Sequence, residues 1–297
     1  MTGMNDIPAL PCWLNGEFST LRDAKVSVLD RGFIFGDGVY EVVPAYAGKP
    51  FRFAEHMARL ERSLGEMRIE NPMSRQAWAS LVGELIEMYA AHVGKKPQQT
   101  DQLVYLQVTR GVAMRDHVIP AGIQPTVFAT TNRLYIYSPE EREQGVECFT
   151  AEDFRWHKAH IKSISLAGAV LARQISADQG GNETVLFRDG YLTEAAAANI
   201  WVVKGGKVLG SPKDNLVLEG IRYGLIEQLC AEAGIPFELR RVSRDEVFAA
   251  DEILISSATK EVVPVTRLDG KPVGNGRPGP IYAKLYAGYQ RAKQASP

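Results

Sequence analysis

Lys162 lies between Ile161 and the apolar, small-residue run Ser165-Leu166-Ala167-Gly168-Ala169-Val170-Leu171. A lysine in that company is either a snorkelling residue at a helix start or an amine held in a pocket, where it acts as nucleophile or base. Three other segments favour the pocket. Tyr191-Leu192-Thr193-Glu194 runs into the alanines of 195–198, then Asn199 and an apolar strand, which puts a carboxylate at the mouth of a small-residue turn that a ligand can approach closely. Leu218-Glu219-Gly220-Ile221-Arg222 opens a helix, and the first N–H groups of a helix have no internal acceptor and bind phosphate. Ser256-Ser257-Ala258-Thr259 follows a strand and offers hydroxyl and N–H groups to the same anion. An amine, a carboxylate and an anion cradle are the parts required to hold pyridoxal phosphate.

Competing motifs carry less. Gly274-Asn275-Gly276-Arg277-Pro278-Gly279 matches the letter of a dinucleotide fingerprint, but it lacks the preceding strand and following crossover helix and reads as a loop. His157 and His160 have helical spacing for a metal, yet Lys158 and Lys162 stand beside them and no acidic or cysteine companion is near, so no metal site is expected. There is no P-loop, HExxH or GxSxG pattern.

The elements that must position these residues fall into two parts. Strands and turns are expected over 12–53, including 26–29, a Gly36-Asp37-Gly38 turn and a strand over 39–43. Apolar residues at helical spacing predict helices over 55–67 and 75–92, followed by strands over 103–109 and 126–131. The polar stretch 137–145 reads as the boundary between the domains or as a helix cap. Beyond it come a helix over 165–177, strands over 183–187, 200–203 and 252–256, a helix from about 221 and a terminal helix from about 281. The chain is therefore expected to be an α+β or α/β protein of two domains, 1–133 and 134–297.

Of 297 residues, 45% are apolar and 23% charged, which is ordinary globular usage. Lys and Arg number 34 against 35 Asp and Glu, a net charge of −1, so no excess field attracts nucleic acid. The three cysteines stand far apart, outside any CxxC pair, and fit a reducing cytoplasm. The N-terminal residues show no basic leader before an apolar core, and no apolar run has bilayer length, so neither export nor a membrane partner is expected.

The chain resembles the fold-type IV pyridoxal-phosphate aminotransferases, and within them it is most similar to those acting on D-amino acids. The resemblance spans about 30–270. It rests on Arg31-Gly-Phe-Ile-Phe-Gly-Asp-Gly-Val-Tyr-Glu-Val-Val43, Glu55-His-Met-Ala-Arg-Leu60, Val108-Thr-Arg-Gly111, Ile161-Lys-Ser163, Leu192-Thr-Glu194 with Asn199, and Gly220-Ile221. It implies the two-domain fold of that class, with the cofactor between the domains. It further implies that Lys162 bonds the cofactor aldehyde, Arg59 grips the phosphate and Glu194 pairs with the pyridine nitrogen. Ile221 and Arg222 would lend backbone N–H groups to the phosphate, joined by 257–259 (Ser257, Ala258, Thr259), and Leu218 would cover the ring. Arg115-Asp116-His117, ten residues beyond Tyr105, matches the Arg-x-His pair that holds the substrate carboxylate together with a tyrosine equivalent to Tyr40. In the family that loop reaches the site from the neighbouring subunit, which implies a homodimer. The chain departs from the family in having Ala258 for a phosphate-binding threonine, Gly210 at a usual threonine, and Gly220-Ile221-Arg222-Tyr223 for Gly-Ile-Thr-Arg. These changes bear on cofactor retention, not on Lys162 or Glu194.

The activity implied is ping-pong transfer of an amino group from a D-amino acid, D-alanine by default, to 2-oxoglutarate. Alternatives sharing the lysine–glutamate core are a branched-chain L-aminotransferase, an (R)-amine transaminase and an aminodeoxychorismate lyase, and outside the enzymes an inactive cofactor-binding relative.

Overall fold

Period-two patterning dominates the first part of the chain and continuous apolar strands the second, and each builds its own sheet in the computed structural model, which describes residues 7–295. The first six residues, on which the reading of the N-terminus partly rests, lie outside the described residues. One compact unit runs to Tyr135 and takes back Ile161–Leu166, and the other holds Ile136–His160 and Ala167–Ala295. The expected division at 133/134 put Lys162 in the second part, whereas its short segment packs with the first.

The first unit contains β1 (Pro11–Leu14), β2 (Glu17–Thr20), the single-turn helix α1 (Arg31–Phe35), β3 (Gly38–Tyr46), β4 (Lys49–Pro50), α2 (Phe53–Glu66), α3 (Arg75–His92), β5 (Gln102–Thr109) and β6 (Thr126–Arg133). Its sheet has the order β2-β1-β6-β5-β3-β4, with antiparallel neighbours. Because side chains alternate along a strand, Val39, Val43, Val104, Leu106 and Val108 share one core with Met57, Leu60 and Leu64 of α2 and Trp78 and Leu85 of α3. Tyr40 and Tyr105 take the alternate positions and are only half-buried. The Ser74 side chain accepts from the Ala77 N–H and starts α3, a cap whose loss costs about 1 kcal/mol.

Two expectations fail here. Residues 26–29 form no strand, and Val26 and Val28 are exposed. Their alternation finds no neighbouring strand, and without a ladder it specifies nothing. Conversely, no pattern in the sequence predicts α1. Its single turn is too short to show a period, and what builds it is a cap at each end: the Asp30 side chain accepts from the Gly32 N–H, and Gly36 closes the helix at φ 67°.

The second unit contains α4 (Pro139–Gln144), β7 (Val146–Glu152), α5 (Ala167–Ala177), β8 (Glu183–Arg188), β9 (Tyr191–Ala195), β10 (Asn199–Lys204), β11 (Lys207–Gly210), α6 (Arg222–Glu232), β12 (Phe237–Leu239), α7 (Arg244–Phe248), β13 (Glu252–Ser257), β14 (Glu261–Leu268), β15 (Lys271–Pro272) and α8 (Pro280–Ala295). The sheet order is β12-β11-β10-β13-β14-β7-β8-β9, with β15 beside β14. The β11–β12, β14–β7 and β7–β8 pairs are parallel, so this unit mixes strand directions. Val185, Phe187, Ile200, Val202, Ile253, Ile255 and Val263 form its core.

The polar stretch 137–145 carries α4, started by a reciprocal cap between Ser138 and Glu141, as its helix-cap reading has it. The 274–279 segment is a loop before α8. Gly279 is required there because a Cβ would come within 2.1 Å of Glu252 Cδ, and the Glu252 carboxylate accepts from the Ile281 and Tyr282 N–H groups, both at 2.9 Å, capping α8. Gly210 likewise has a packing reason: a Cβ would meet the Trp201 ring at 2.6 Å. Among the described residues no helix is long and apolar enough to cross a membrane.

Candidate active site

Lys162 sits in an extended segment beside β3, not at a helix start. Its carbonyl accepts from the Tyr40 N–H at 3.0 Å and its own N–H donates to Ser63 Oγ of α2 at 3.3 Å. Ser163 bridges to Val39, and Ser165 Oγ donates to the Gly36 carbonyl at 2.8 Å. The backbone is thus held from both sides while the amine extends over the Tyr40 ring, 4.2 Å from its centroid. Among the described residues no carboxylate or other acceptor takes Lys162 Nζ. Tyr40 stacks on Tyr105 with 5.7 Å between centroids. The Tyr105 hydroxyl donates to Gln107 Oε1 at 2.7 Å, and burial, with Tyr40 adding, pushes its pKa up to about 12.

Arg59 is reached from the other face of β3. Glu41, fully buried, accepts from Arg59 Nε at 2.7 Å and Nη2 at 2.8 Å, and from the ring of His56, whose Nδ1 lies 2.7 Å from Oε2. Burial alone would raise the Glu41 pKa, but the charge and hydrogen bonds of Arg59, with those of His56, hold it well below the usual carboxylate range. Sequence reasoning passes over Glu41 and His56. The available signal is a charged residue at a core-facing position of an alternating strand. Arg115 and His117 stand in the exposed loop after β5, both against the ring of Phe35.

In the second unit Glu194 lies on β9 rather than in a turn, and is 5% exposed. Arg155 Nη1 donates to its Oε1 at 2.6 Å, while Asn199 Nδ2 and the Leu218 N–H donate to Oε2 at 3.1 and 3.2 Å. Burial pushes the Glu194 pKa up to about 7, against the opposing pull of Arg155 and the Leu218 N–H. Arg155 is shared: its Nε and Nη2 donate to Asp153, both at 2.9 Å, and Thr193 Oγ1 adds a bond to Asp153 at 2.8 Å. Sequence reasoning finds neither Arg155 nor Asp153, because nothing in their local pattern marks a partner at position 194.

Gly220 is obligatory, since a Cβ there would come within 2.0 Å of Asn199 Oδ1, and Asn199 Nδ2 also donates to the Leu218 carbonyl at 3.0 Å. This ties Leu218 and the start of α6 to the Glu194 carboxylate. The Ile221 N–H has no acceptor among the described residues. The Arg222 side chain is buried and turns toward Tyr289 of α8, its guanidinium 5.7 Å from the ring. In the 257–259 turn, Ser257 Oγ and Thr259 Oγ1 are 3.2 Å apart and Ala258 is half-buried. His157 and His160 occupy a turn whose carbonyl at His157 accepts from Asn215 Nδ2.

The amino-transferase class IV model matches residues 38–268. The chain belongs to this family. It is similar to the D-alanine aminotransferase of Bacillus licheniformis, with 38% identity covering 94% of this chain and 95% of that one, and to the D-alanine aminotransferase of Staphylococcus epidermidis, with 36% identity covering 95% and 98%. Among solved structures, the branched-chain amino acid aminotransferase of Escherichia coli superimposes with a TM-score of 0.83 at 26% identity, covering 94% of this chain and 93% of that one. A further branched-chain amino acid aminotransferase, solved with pyridoxamine 5'-phosphate, superimposes with a TM-score of 0.86 at 25% identity, covering 98% and 96%. This aminotransferase therefore has the α+β two-domain, fold-type IV architecture and is a pyridoxal-phosphate-dependent enzyme. Within each unit the structure groups the expected residues: Lys162, Tyr40 and Tyr105 in the first, and Glu194, Leu218 and Ile221 in the second.

Proposed function

We propose that this aminotransferase moves the amino group of a D-amino acid, D-alanine foremost, to 2-oxoglutarate in two half-reactions. The observation that carries the reading is the pair Arg115 and His117 gathered on one ring, with no ion pair to Arg115 among the described residues. An unpaired guanidinium takes a carboxylate bidentately. The likeness to D-alanine aminotransferases supports the same assignment.

The residues present fit the cofactor. Lys162 offers an amine that no acceptor among the described residues takes, Glu194 a buried carboxylate whose pKa is pushed up to about 7, and the start of α6 and the 257–259 turn a set of donors. Pyridoxal phosphate supplies a carbonyl carbon that exchanges amines and a ring that takes up an electron pair. Lys162 then acts as base, removing the proton from the substrate α-carbon and returning it on the opposite leg. Glu194 in its ionised form would keep a proton on the ring nitrogen, and the Arg155 guanidinium favours that form against burial. The Ile221 and Arg222 N–H groups, Ser257 and Thr259 would hold the phosphate, Ala258 would contribute only its N–H, and Leu218 would cover the ring; Arg59 is the arginine of the first unit that would bind the same anion. Arg115, His117 and the Tyr40 hydroxyl fix the substrate carboxylate, so only one enantiomer presents its α-hydrogen to Lys162. The enzyme works as a homodimer in which this loop serves the neighbouring subunit. Its free, buried cysteines suit a cytoplasmic setting.

The test is the absorbance change of the holoenzyme with D-alanine, L-leucine, an (R)-arylamine and aminodeoxychorismate. Conversion to the amine form by D-alanine, followed by D-glutamate formation from 2-oxoglutarate, is the expected result. Conversion by L-leucine with none by D-alanine would overturn it in favour of the branched-chain reading, which the likeness to the branched-chain structures keeps in view.

A further inference from the structure

We propose that Arg31 and Phe35 are positioning residues that set Arg115 and His117 for the substrate carboxylate. The proposal rests on the clamp reading above and extends it to residues remote in sequence.

Arg31 is 4% exposed, and a buried guanidinium requires partners for its charge and its N–H groups. Its Nε donates to Asp37 Oδ2 at 2.9 Å, but Asp37 is shared with Arg110, whose Nε and Nη2 donate to it at 2.7 and 2.9 Å. Two cations on one carboxylate leave positive charge over, and backbone carbonyls take it up. Arg110 donates to Met67 and Arg68. Arg31 Nη1 donates to the carbonyl of Asp116, the middle residue of Arg115-Asp116-His117. The Asp116 side chain is held as well, accepting from the Val118 N–H at 3.1 Å.

Phe35 completes the device. One ring faces the guanidinium of Arg31 at 4.8 Å, that of Arg115 at 5.3 Å and the imidazole of His117 at 5.3 Å. The loop is joined to the same stretch by the Arg31 N–H to the Gly111 carbonyl at 2.8 Å and the bridge between Asp30 and Val112. Asp116 is fixed by its carbonyl while its two neighbours lie against one ring, so both side chains are presented on the same side. An exposed arginine otherwise gives up its rotamer freedom on binding, and a ring that already orders Arg115 reduces that loss.

The test measures D-alanine and D-alaninamide, which lacks the carboxylate, as donors to the holoenzyme in single turnovers. Phe35→Ala is expected to weaken D-alanine binding about fivefold to tenfold, to leave the rate at saturation within about twofold, and to leave D-alaninamide unaffected. In an Arg115→Ala background the same change is expected to add nothing. Phe35→Leu, which keeps the apolar bulk, carries the test should Phe35→Ala not fold, and Arg31→Lys is expected to follow the same donor pattern. Equal losses for both donors, or a full additional loss on top of Arg115→Ala, would overturn the positioning role while leaving the clamp intact. Unchanged D-alanine binding in Arg115→Ala alone would overturn the clamp and this proposal with it.

Discussion

Glu41 and Glu194 are both buried carboxylates bonded to an arginine, and their acidities move in opposite directions. Glu41 receives two nitrogens of Arg59 and the ring of His56, and stays ionised far below the usual range. Glu194 receives one nitrogen of Arg155, whose Nε and Nη2 donate to Asp153, plus two neutral donors at 3.1 and 3.2 Å, and burial prevails at about 7. The number of charge-assisted bonds therefore decides the outcome, not the presence of an arginine. A permanent anion suits a residue whose work is to hold Arg59 still. A carboxylate with a pKa near neutrality is one whose charge its neighbours decide.

That contrast can be tested by substitution. Glu41→Ala leaves Arg59 buried without its partner and is expected to destabilise the protein by about 3–5 kcal/mol, read by chemical denaturation. Glu194→Gln keeps the shape but removes the charge that the proposed role requires, and kcat for D-alanine should fall about 10²–10³-fold. The same residue sets a pH effect on the cofactor-free chain. Its folded pKa is raised from 4.5 to about 7, so its contribution to stability is fully present below 4.5 and is lost as the pH climbs through 7. Over that window the wild type should lose on the order of 3 kcal/mol relative to Glu194→Gln. Arg155→Met should raise the Glu194 pKa further and move the acid limb of the kcat profile upward by about one pH unit, since the arginine opposes burial. Smallest is Glu246→Gln at the half-buried surface pair Arg240–Glu246, where a surface ion pair contributes under about 1 kcal/mol by denaturation.

The long helices α2 and α3 and strands β3, β5 and β6 are readable because their apolar residues recur at one period over many positions. The single-turn α1 is not, since caps rather than a period build it, and the short α4 shows only as a cap signal. Val26 to Leu29 show the converse error, an alternating pattern with no neighbour to pair with. Among the candidate residues, Lys162, Glu194 and the Gly220 turn are marked by local company and by resemblance. Arg155, Asp153, Glu41 and His56 carry no such mark, because each is defined by the residue it touches.

The chemical types along the chain settle which groups are available: an amine at 162, an acid at 194, and an arginine and histidine two apart at 115 and 117. These are covalent facts, and they bound the reaction class before any folding is considered. Folding supplies the partners, across 18 residues for Arg59 and Glu41, 39 for Arg155 and Glu194, and 85 for Arg31 and Asp116. It also supplies the burial that turns those bonds into shifts of acidity and fixed geometry. The strength of a charge or hydrogen bond depends on how much water surrounds it, and only packing removes the water.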